Sequence, residues 1–567
     1  MLGTVLFRSP HNRRLLQSLR TCVLTDSFDN VNDKNDRFFS SKKWNTEETS
    51  HRQNVMGSLS VLGLGIGISL GIYYSKQREK TNLFAASQNS KDVKAGEPVP
   101  GLPLYSLRDV GQHCSHKDEI WVTYKQGVYN ITPFIDEHPG GDKIMMAAGG
   151  SVEPFWLMYG VHNQPEILAM LESYRIGNLS MEDSMESTRD LEDPYGLEPK
   201  RHPSLKINSQ KPFNAEPPPS LLADSYITPV ELFYVRNHLP VPLVDVNEWR
   251  LTIEVVGLKP IELSMDQIKK FPKHTVTTSI QCAGNRRSEM SKIKKVKGLD
   301  WGTAAIGNAT FSGARLYDVL KAAGLKDDEI KAQHVQFEGL DTDPANVPYA
   351  ASIPIEKAMD PKGDVLLAYE MNGAPLSRDH GYPLRAVVPG VVGARNVKWL
   401  GAVYVSEEES SSHWQQNDYK GFSPSTDWDT VDFTKSPAIQ QLPVTSAICE
   451  PSENEVVLVK NGKITVKGYA SSGGGNKIVR VDVTPDGGQT WYVADLINPE
   501  KNKPPHHWAW SLWQVEIPVR KGQKQMELWA KAVDSSYNTQ PESFKNIWNL
   551  RGVLSNAYHR INIKLKH

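Results

Sequence analysis

Charge is absent from Gln53 to Ser75, and from Leu59 to Tyr74 the chain is apolar apart from Ser and Gly. A run of ~20 such residues is just long enough to span a bilayer. Arg52 precedes it, and Lys76, Arg78 and Lys80 follow. Upstream, Arg8, Arg13, Arg14 and Arg20 interleave with Leu2, Val5, Leu6, Leu15, Leu16 and Leu19, with no acid before Asp26. An Arg-rich, acid-poor amphipathic start reads as a mitochondrial transit peptide. Residues 1–84 are therefore expected to be a two-part presequence, a matrix signal followed by a stop-transfer segment that is cleaved off. The mature protein would then lie in the mitochondrial intermembrane space with no stable membrane anchor. A retained single-span anchor is the other reading of the same residues. The glycines of 63–67 lack a strand-then-helix setting and are not a dinucleotide fingerprint.

Beyond this segment the pattern changes to short alternating runs. Ile120–Tyr124 and Gly127–Ile131, rich in β-branched and aromatic residues, predict a hairpin in a small unit over 97–180. Residues 181–200 hold seven acids, two bases and almost nothing to bury, so 181–205 is expected to be a mobile, extended acidic linker. From 206 to 440 short strands such as Trp249–Val256 mix with short helices such as Leu316–Ala323 under heavy Pro and Gly punctuation, which predicts an α+β domain. From 441 to 567, Val479, Val481 and Val483 alternate with Arg480 and Asp482, and Pro485-Asp486-Gly487-Gly488 turns the chain into Thr490–Val493. With Lys463–Tyr469, Trp513–Val519 and Met526–Val533, these regular strands predict an all-β, immunoglobulin-like sandwich.

The chain has 567 residues, enough for three or four domains. Hydrophobic residues at 39% and charged residues at 23% exclude disorder and a multi-span membrane protein. With 64 Lys+Arg against 65 Asp+Glu there is no basic excess for nucleic-acid binding. The four cysteines, Cys22, Cys114, Cys282 and Cys449, are scattered and contain no CxxC pair, which argues against a disulfide framework and a zinc ribbon.

Three patterns carry chemistry. His138 opens a His-Pro-Gly-Gly run that stops a helix and lets backbone approach a ligand closely, and His162 follows 24 residues later behind the apolar stretch Phe155–Tyr159. Two imidazoles across an apolar pocket are what a six-coordinate haem iron needs. With both axial positions filled the iron carries electrons singly. In the next domain Cys282 ends an apolar run and meets Gly284-Asn285-Arg286-Arg287. Positive charge favours the thiolate that binds metals, and with no second Cys nearby the remaining ligands must come from elsewhere. Finally, Phe233–His238, Gly339–Pro344, Arg378–Arg385 and Gly390–Trp399 bring Arg, Lys, His and Gly together. Such groups hold phosphates and polar heterocycles, although each stretch alone reads as an exposed loop.

The first unit resembles cytochrome b5, which implies His138 and His162 as the ligands of a haem b iron. The rest of the chain resembles the sulfite oxidase family of molybdenum enzymes through QCAGNRRSEM, GLDTDP, AYEMNG, RDHGYPLR, VVPGVVGARNVKWL, HWQQNDYKGFSP and WNLRGVLSNAYHR. The order of a haem domain, a molybdenum domain and a dimerising domain is that of the animal mitochondrial members. The resemblance implies Cys282 as a ligand of molybdenum in a Mo-molybdopterin cofactor. It implies Phe233, Tyr234, Val235, Arg236, Asn237, Asp341, His380, Arg385, Asn396, Val397 and Lys398 as pterin contacts. It implies Arg236, Arg287, Trp301, Tyr419 and Arg551 as the lining of an oxyanion pocket, since guanidinium groups bind such oxygens through forked, charge-assisted bonds. The implied activity is oxidation of sulfite to sulfate by a homodimer, with electrons passing through the haem to cytochrome c. The alternatives are a nitrate reductase-like enzyme, whose haem domain would instead follow its molybdenum domain, and a non-enzymatic haem carrier with a degenerate molybdenum fold.

Overall fold

The computed structural model describes residues 94–115, 119–138, 141–188, 193–326 and 332–567. The presequence and its apolar run lie outside these. Among the described residues no helix is long and apolar enough to cross a membrane. The chain divides into two compact units. One takes the described residues up to Glu153 and from His162 to Thr188; the other takes Pro154–Val161 and everything from Asp193 on.

In the first unit the expected hairpin pairs Trp121–Tyr124 antiparallel with Gly127–Asn130. Arg175–Leu179 adds antiparallel to the second strand, and Leu104–Tyr105 adds parallel to Arg175–Leu179. Val110, Trp121, Val128 and Leu179 form the core. Tyr129 donates to Glu172 at 2.6 Å, and Arg175 pairs with the same carboxylate at 3.2 Å, which ties the sheet to the helix Pro165–Glu172.

The linker departs from expectation. Met181–Thr188 is a helix belonging to the first unit. Its acidity is placed where a helix uses it: Ser180 Oγ accepts from the Asp183 N–H at 3.1 Å, and Asp183 accepts from Ser180 Oγ at 2.7 Å and from the Leu107 N–H at 3.2 Å. Acids in a first turn complement the helix dipole, so the residues that looked unfoldable by composition have a local reason to order. Ser180→Ala should destabilise this helix by about 1 kcal/mol. The expected readout is faster amide exchange over 181–188 with the rest of the first unit unchanged; equal exchange in both proteins would show that the cap does not hold the helix.

The second unit is built from sheets. Lys273–Gln281, Ile306–Arg315 and Leu366–Met371 run antiparallel, and Leu366–Met371 also pairs with Ala374–Pro375 and Arg385–Val387. A second five-stranded sheet has the order Pro348–Pro354, His334–Thr342, Leu400–Ser406, Leu251–Val255, Ile261–Leu263. A three-stranded sheet, Lys206–Ser209, Asn214–Glu216 and Val235–Arg236, completes this region. The main core, including Trp249, Val335, Phe337, Leu367 and Val403, lies around the second sheet.

The C-terminal region is a two-sheet sandwich, as its alternation predicts. Thr445–Glu450, Lys463–Ser471, Ser511–Pro518 and Asp495–Ile497 form one layer. Val456–Leu458, His559–Lys566, Gln525–Asp534, Ile478–Thr484 and Tyr492–Val493 form the other. Val466, Val481, Val483, Trp513, Leu528 and Ile563 fill the space between. Val479 breaks the expected pattern and is exposed, because the register shifts between Ile478 and Arg480 and turns it outward.

Candidate active site

Strand ends from all three of these N-terminal sheets of the second unit converge on one cavity. It is lined by Phe233, Tyr234, Arg236, Cys282, Asp341, His380, Arg385, Asn396, Val397, Lys398 and Tyr419, all expected from sequence, and also by His238, Tyr349, Gly393 and Trp399. Cys282 follows the strand Lys273–Gln281 directly, and its N–H donates to Ala305 O at 2.9 Å, so the sheet fixes its backbone. Its Sγ, 5% exposed by residue, accepts from the Gly284 N–H at 3.4 Å. Among the described residues no group of three His, Cys, Asp or Glu could hold a metal. A metal at Cys282 would therefore take its other ligands from a bound cofactor.

The stretches that read as exposed loops are buried. Asp341, His380, Arg385 and Asn396 are each no more than 5% exposed, because they sit at strand ends inside the unit rather than on its surface. Arg385 donates to the backbone oxygens of His380 at 3.1 Å and Asn396 at 3.0 Å. Burial without a facing carboxylate pulls its guanidinium down to about 10. Burial likewise takes Lys398 to about 7 and His380 to about 4. Lys398 Nζ donates to Asn237 Oδ1 and, at 2.8 Å, to Asp379 O. The Asp379 carboxylate itself is engaged by Arg201 at 2.8 Å. On the same cavity, burial raises the Asp341 carboxyl well above its ordinary range, Lys398 only partly offsetting it, and Asp341 Oδ1 has no hydrogen-bond partner.

This donor set fits an anionic heterocycle. The cavity gathers the N–H donors of Arg236, Arg385 and Lys398, it holds one orphaned buried oxygen in Asp341, and it carries one thiol. Asn237 and Val235 belong to it indirectly. Asn237 bonds Lys398 without lining the cavity, and Val235 packs with Leu205, Phe213 and Ala215.

The expected oxyanion residues divide. Arg236 reaches into the cavity and donates to two neutral oxygens, Asn214 Oδ1 at 3.1 Å and Asn237 O at 2.6 Å. Tyr419 Oη lies 2.6 Å from His238 Nε2, and burial pushes its hydroxyl up to about 12 against the pull of Arg236. Arg287, Trp301 and Arg551 do not line this cavity. Arg287 donates to Leu299 O at 3.0 Å, Gly552 O at 3.1 Å and Arg551 O at 3.2 Å. Space for its side chain depends on three glycines: a Cβ at Gly284 or Gly298 would fall 2.7 Å from the guanidinium, and one at Gly552 would fall 2.8 Å from Arg287 Cγ. Trp301 is fully buried behind Tyr234, edge to face at 6.3 Å, and its Nε1 is unpartnered. Arg551 pairs with Asp418, next to Tyr419; burial raises that carboxyl, but Arg551 outweighs it and holds it low.

In the first unit, His138 follows the turn Thr132–Phe134 and meets the Phe134 ring at 5.8 Å, while His162 lies in the turn Gly160–Asn163. The two imidazole centres stand 6.3 Å apart with planes only 13° from parallel. Two metal–nitrogen bonds of about 2 Å, plus about 1.1 Å from each nitrogen to its ring centre, give the same separation.

Known proteins carry the same modules. Residues 106–180 match the family described as cytochrome b5-like heme/steroid binding domain. Residues 238–414 match the oxidoreductase molybdopterin binding domain, and 436–566 match the Mo-co oxidoreductase dimerisation domain. The mitochondrial sulfite oxidase of Drosophila melanogaster is 58% identical over 469 residues, covering 82% of this chain and 81% of its own. That of Mus musculus is 52% identical over 518 residues, covering 91% and 90%. The crystal structure of the sulfane dehydrogenase from Paracoccus pantotrophus aligns with a TM-score of 0.53 at 26% identity, covering 64% of this chain and 87% of that one.

Proposed function

The chain belongs to the sulfite oxidase family, and from that premise we propose how its residues divide the work. It is an oxidoreductase that oxidises sulfite to sulfate, with molybdopterin and haem modules in one polypeptide and a domain for homodimerisation. Its relatives are named as mitochondrial proteins, and the mitochondrion is its compartment. In the finer reading that compartment is the intermembrane space and the acceptor is cytochrome c. Sulfite, water and two oxidised cytochrome c then yield sulfate, two reduced cytochrome c and two protons. Import into isolated mitochondria, followed by selective rupture of the outer membrane, checks the compartment; retention with the matrix would refute it.

When bound, the molybdenum–pterin group supplies the two-electron oxidation and the haem supplies one-electron transfer. The protein's part is binding, orientation and charge. Lys398, Arg385 and His380 would hold the anionic and polar edge of the pterin, and Asp341 Oδ1 would accept from one of its N–H groups. Cys282 would give the metal its one protein ligand. Arg236 and Tyr419, on the same cavity, would bind the substrate oxyanion; Arg287 and Arg551 would add positive charge from just behind the wall. His138 and His162 would hold the haem iron. The observation that carries this reading is the gathering of Cys282, Arg236, Arg385, Lys398 and Tyr419 around one cavity.

Arg236 provides the test. A charge-assisted bond to an oxyanion contributes about 1.5–3 kcal/mol, on the order of ten- to a hundredfold in binding. Arg236→Gln should raise KM for sulfite by that factor and weaken sulfate inhibition in parallel, measured per bound molybdenum. An unchanged KM would remove Arg236 from the anion site. A fall in kcat as well would mean that the same charge also acts in the transition state.

A further inference from the structure

Arg286, beside Arg287 and four residues from Cys282, occupies a place that local physics disfavours. It is fully buried, its φ is 65° in the left-handed region, and it stands immediately before the helix Arg287–Ile293. A non-glycine residue at positive φ is strained, and a cation at a helix N-terminus opposes the dipole. The surrounding structure over-determines it nonetheless. Its Nε and Nη2 donate to the two oxygens of Glu289, each at 2.7 Å, in a forked pair. Its Nη1 donates to Ser446 O at 3.1 Å and Ala557 O at 2.7 Å, both carbonyls of the C-terminal sandwich region. His559 closes the network: its Nδ1 accepts from the Ile448 N–H at 3.0 Å, and its Nε2 lies 3.6 Å from Glu289.

Neighbouring residues of the same loop are held from the same side. Ala283 O accepts from the Leu554 N–H at 2.8 Å, and Asn285 donates to Tyr469 Oη at 2.8 Å. We propose that Arg286 and Glu289 are positioning residues for the sulfite reaction, with the sandwich region as the frame that sets the turn aiming Arg287 and Cys282. On this view the C-terminal region shapes the active site of its own chain, besides joining two chains. Strain kept at a defined point by a network that reaches across 271 residues of sequence between Arg286 and Ala557 is the signature of a geometry held for use.

The inference rests on the sulfite reading, so the experiment separates the two. Replacing a buried ion pair by apolar residues of similar size commonly preserves stability, which makes R286M/E289L the informative variant. The expected result is an unchanged thermal midpoint and molybdenum content with a KM for sulfite raised at least tenfold and kcat changed much less. Arg286→Lys keeps one charge opposite Glu289 but cannot hold Ser446 O and Ala557 O as well; it should raise KM at least threefold. It decides the matter should the double variant fail to fold. KM within twofold of the parent enzyme in the folded variant overturns the positioning role. Absence of sulfite-dependent reduction in the parent enzyme itself would instead overturn the functional reading.

Discussion

Cys282→Ser yields a folded dimer whose sulfite oxidation, measured with an artificial acceptor, falls by more than about a hundredfold. Changing even a residue behind a metal ligand commonly costs 10–100-fold, and Cys282 is the one thiol on the cavity. A serine oxygen is a hard, mostly protonated replacement for a soft thiolate. The fold has little reason to suffer. The loop is held by backbone bonds from Ala305 and Leu554 that do not involve the sulfur, and the cations that would grip the pterin lie on other strands. Pterin content should therefore stay near that of the parent protein while turnover is lost. Near-normal turnover in molybdenum-loaded Cys282→Ser would take this residue out of the metal site.

His138→Ala and His162→Ala separate the two halves of the reaction. Each removes one of two imidazoles standing 6.3 Å apart, so neither variant can give the low-spin bis-imidazole haem spectrum. Cytochrome c reduction should drop to background. Sulfite-dependent reduction of an artificial acceptor that takes electrons at molybdenum should continue at close to the parent rate, because the catalytic cavity is lined entirely by residues of the second unit. Survival of both activities would exclude a haem relay; loss of both would mean that the haem unit is needed for the molybdenum chemistry as well.

Much of this site was legible along the chain because its chemistry is written in compact runs. Cys282 with two arginines, Arg378–Arg385 and Asn396–Lys398 each bring several functional groups within a few residues. The histidine pair was legible from its Pro-Gly-Gly punctuation. What could not be read is what depends on pairing between distant strands. His238 ended a noted segment but carried no signal of its own, since its bond to Tyr419 spans 181 residues. Tyr349, stacked on His238 at 4.5 Å, sits in an ordinary strand run. The Arg201–Asp379 pair, which occupies the carboxylate nearest Lys398, joins segments 178 residues apart. Burial misled in the other direction: loops rich in Gly, Arg and Asp look solvated, yet here strand ends enclose them. Val479 and the Met181–Thr188 helix show the same limit locally, where one register shift or one serine cap outweighs the average pattern.

The segment that closes around Arg287 and Ala283 comes from residues 549–557 of a 567-residue chain. Domains tend to fold in the order they leave the ribosome, but the hold on Arg287 and Ala283 cannot be completed in that order. Cys282 and Arg287 are synthesised near the middle of these 567 residues, and the carbonyls of Arg551 and Gly552 that hold Arg287 follow more than 260 residues later. Before then Arg385 and Arg236 already have carbonyls of their own region to rest on, while Arg287 has only that of Leu299. The order of manufacture thus has a consequence: a polypeptide stopped before residue 549 carries every residue that lines the cavity and still lacks the carbonyls that hold Arg287.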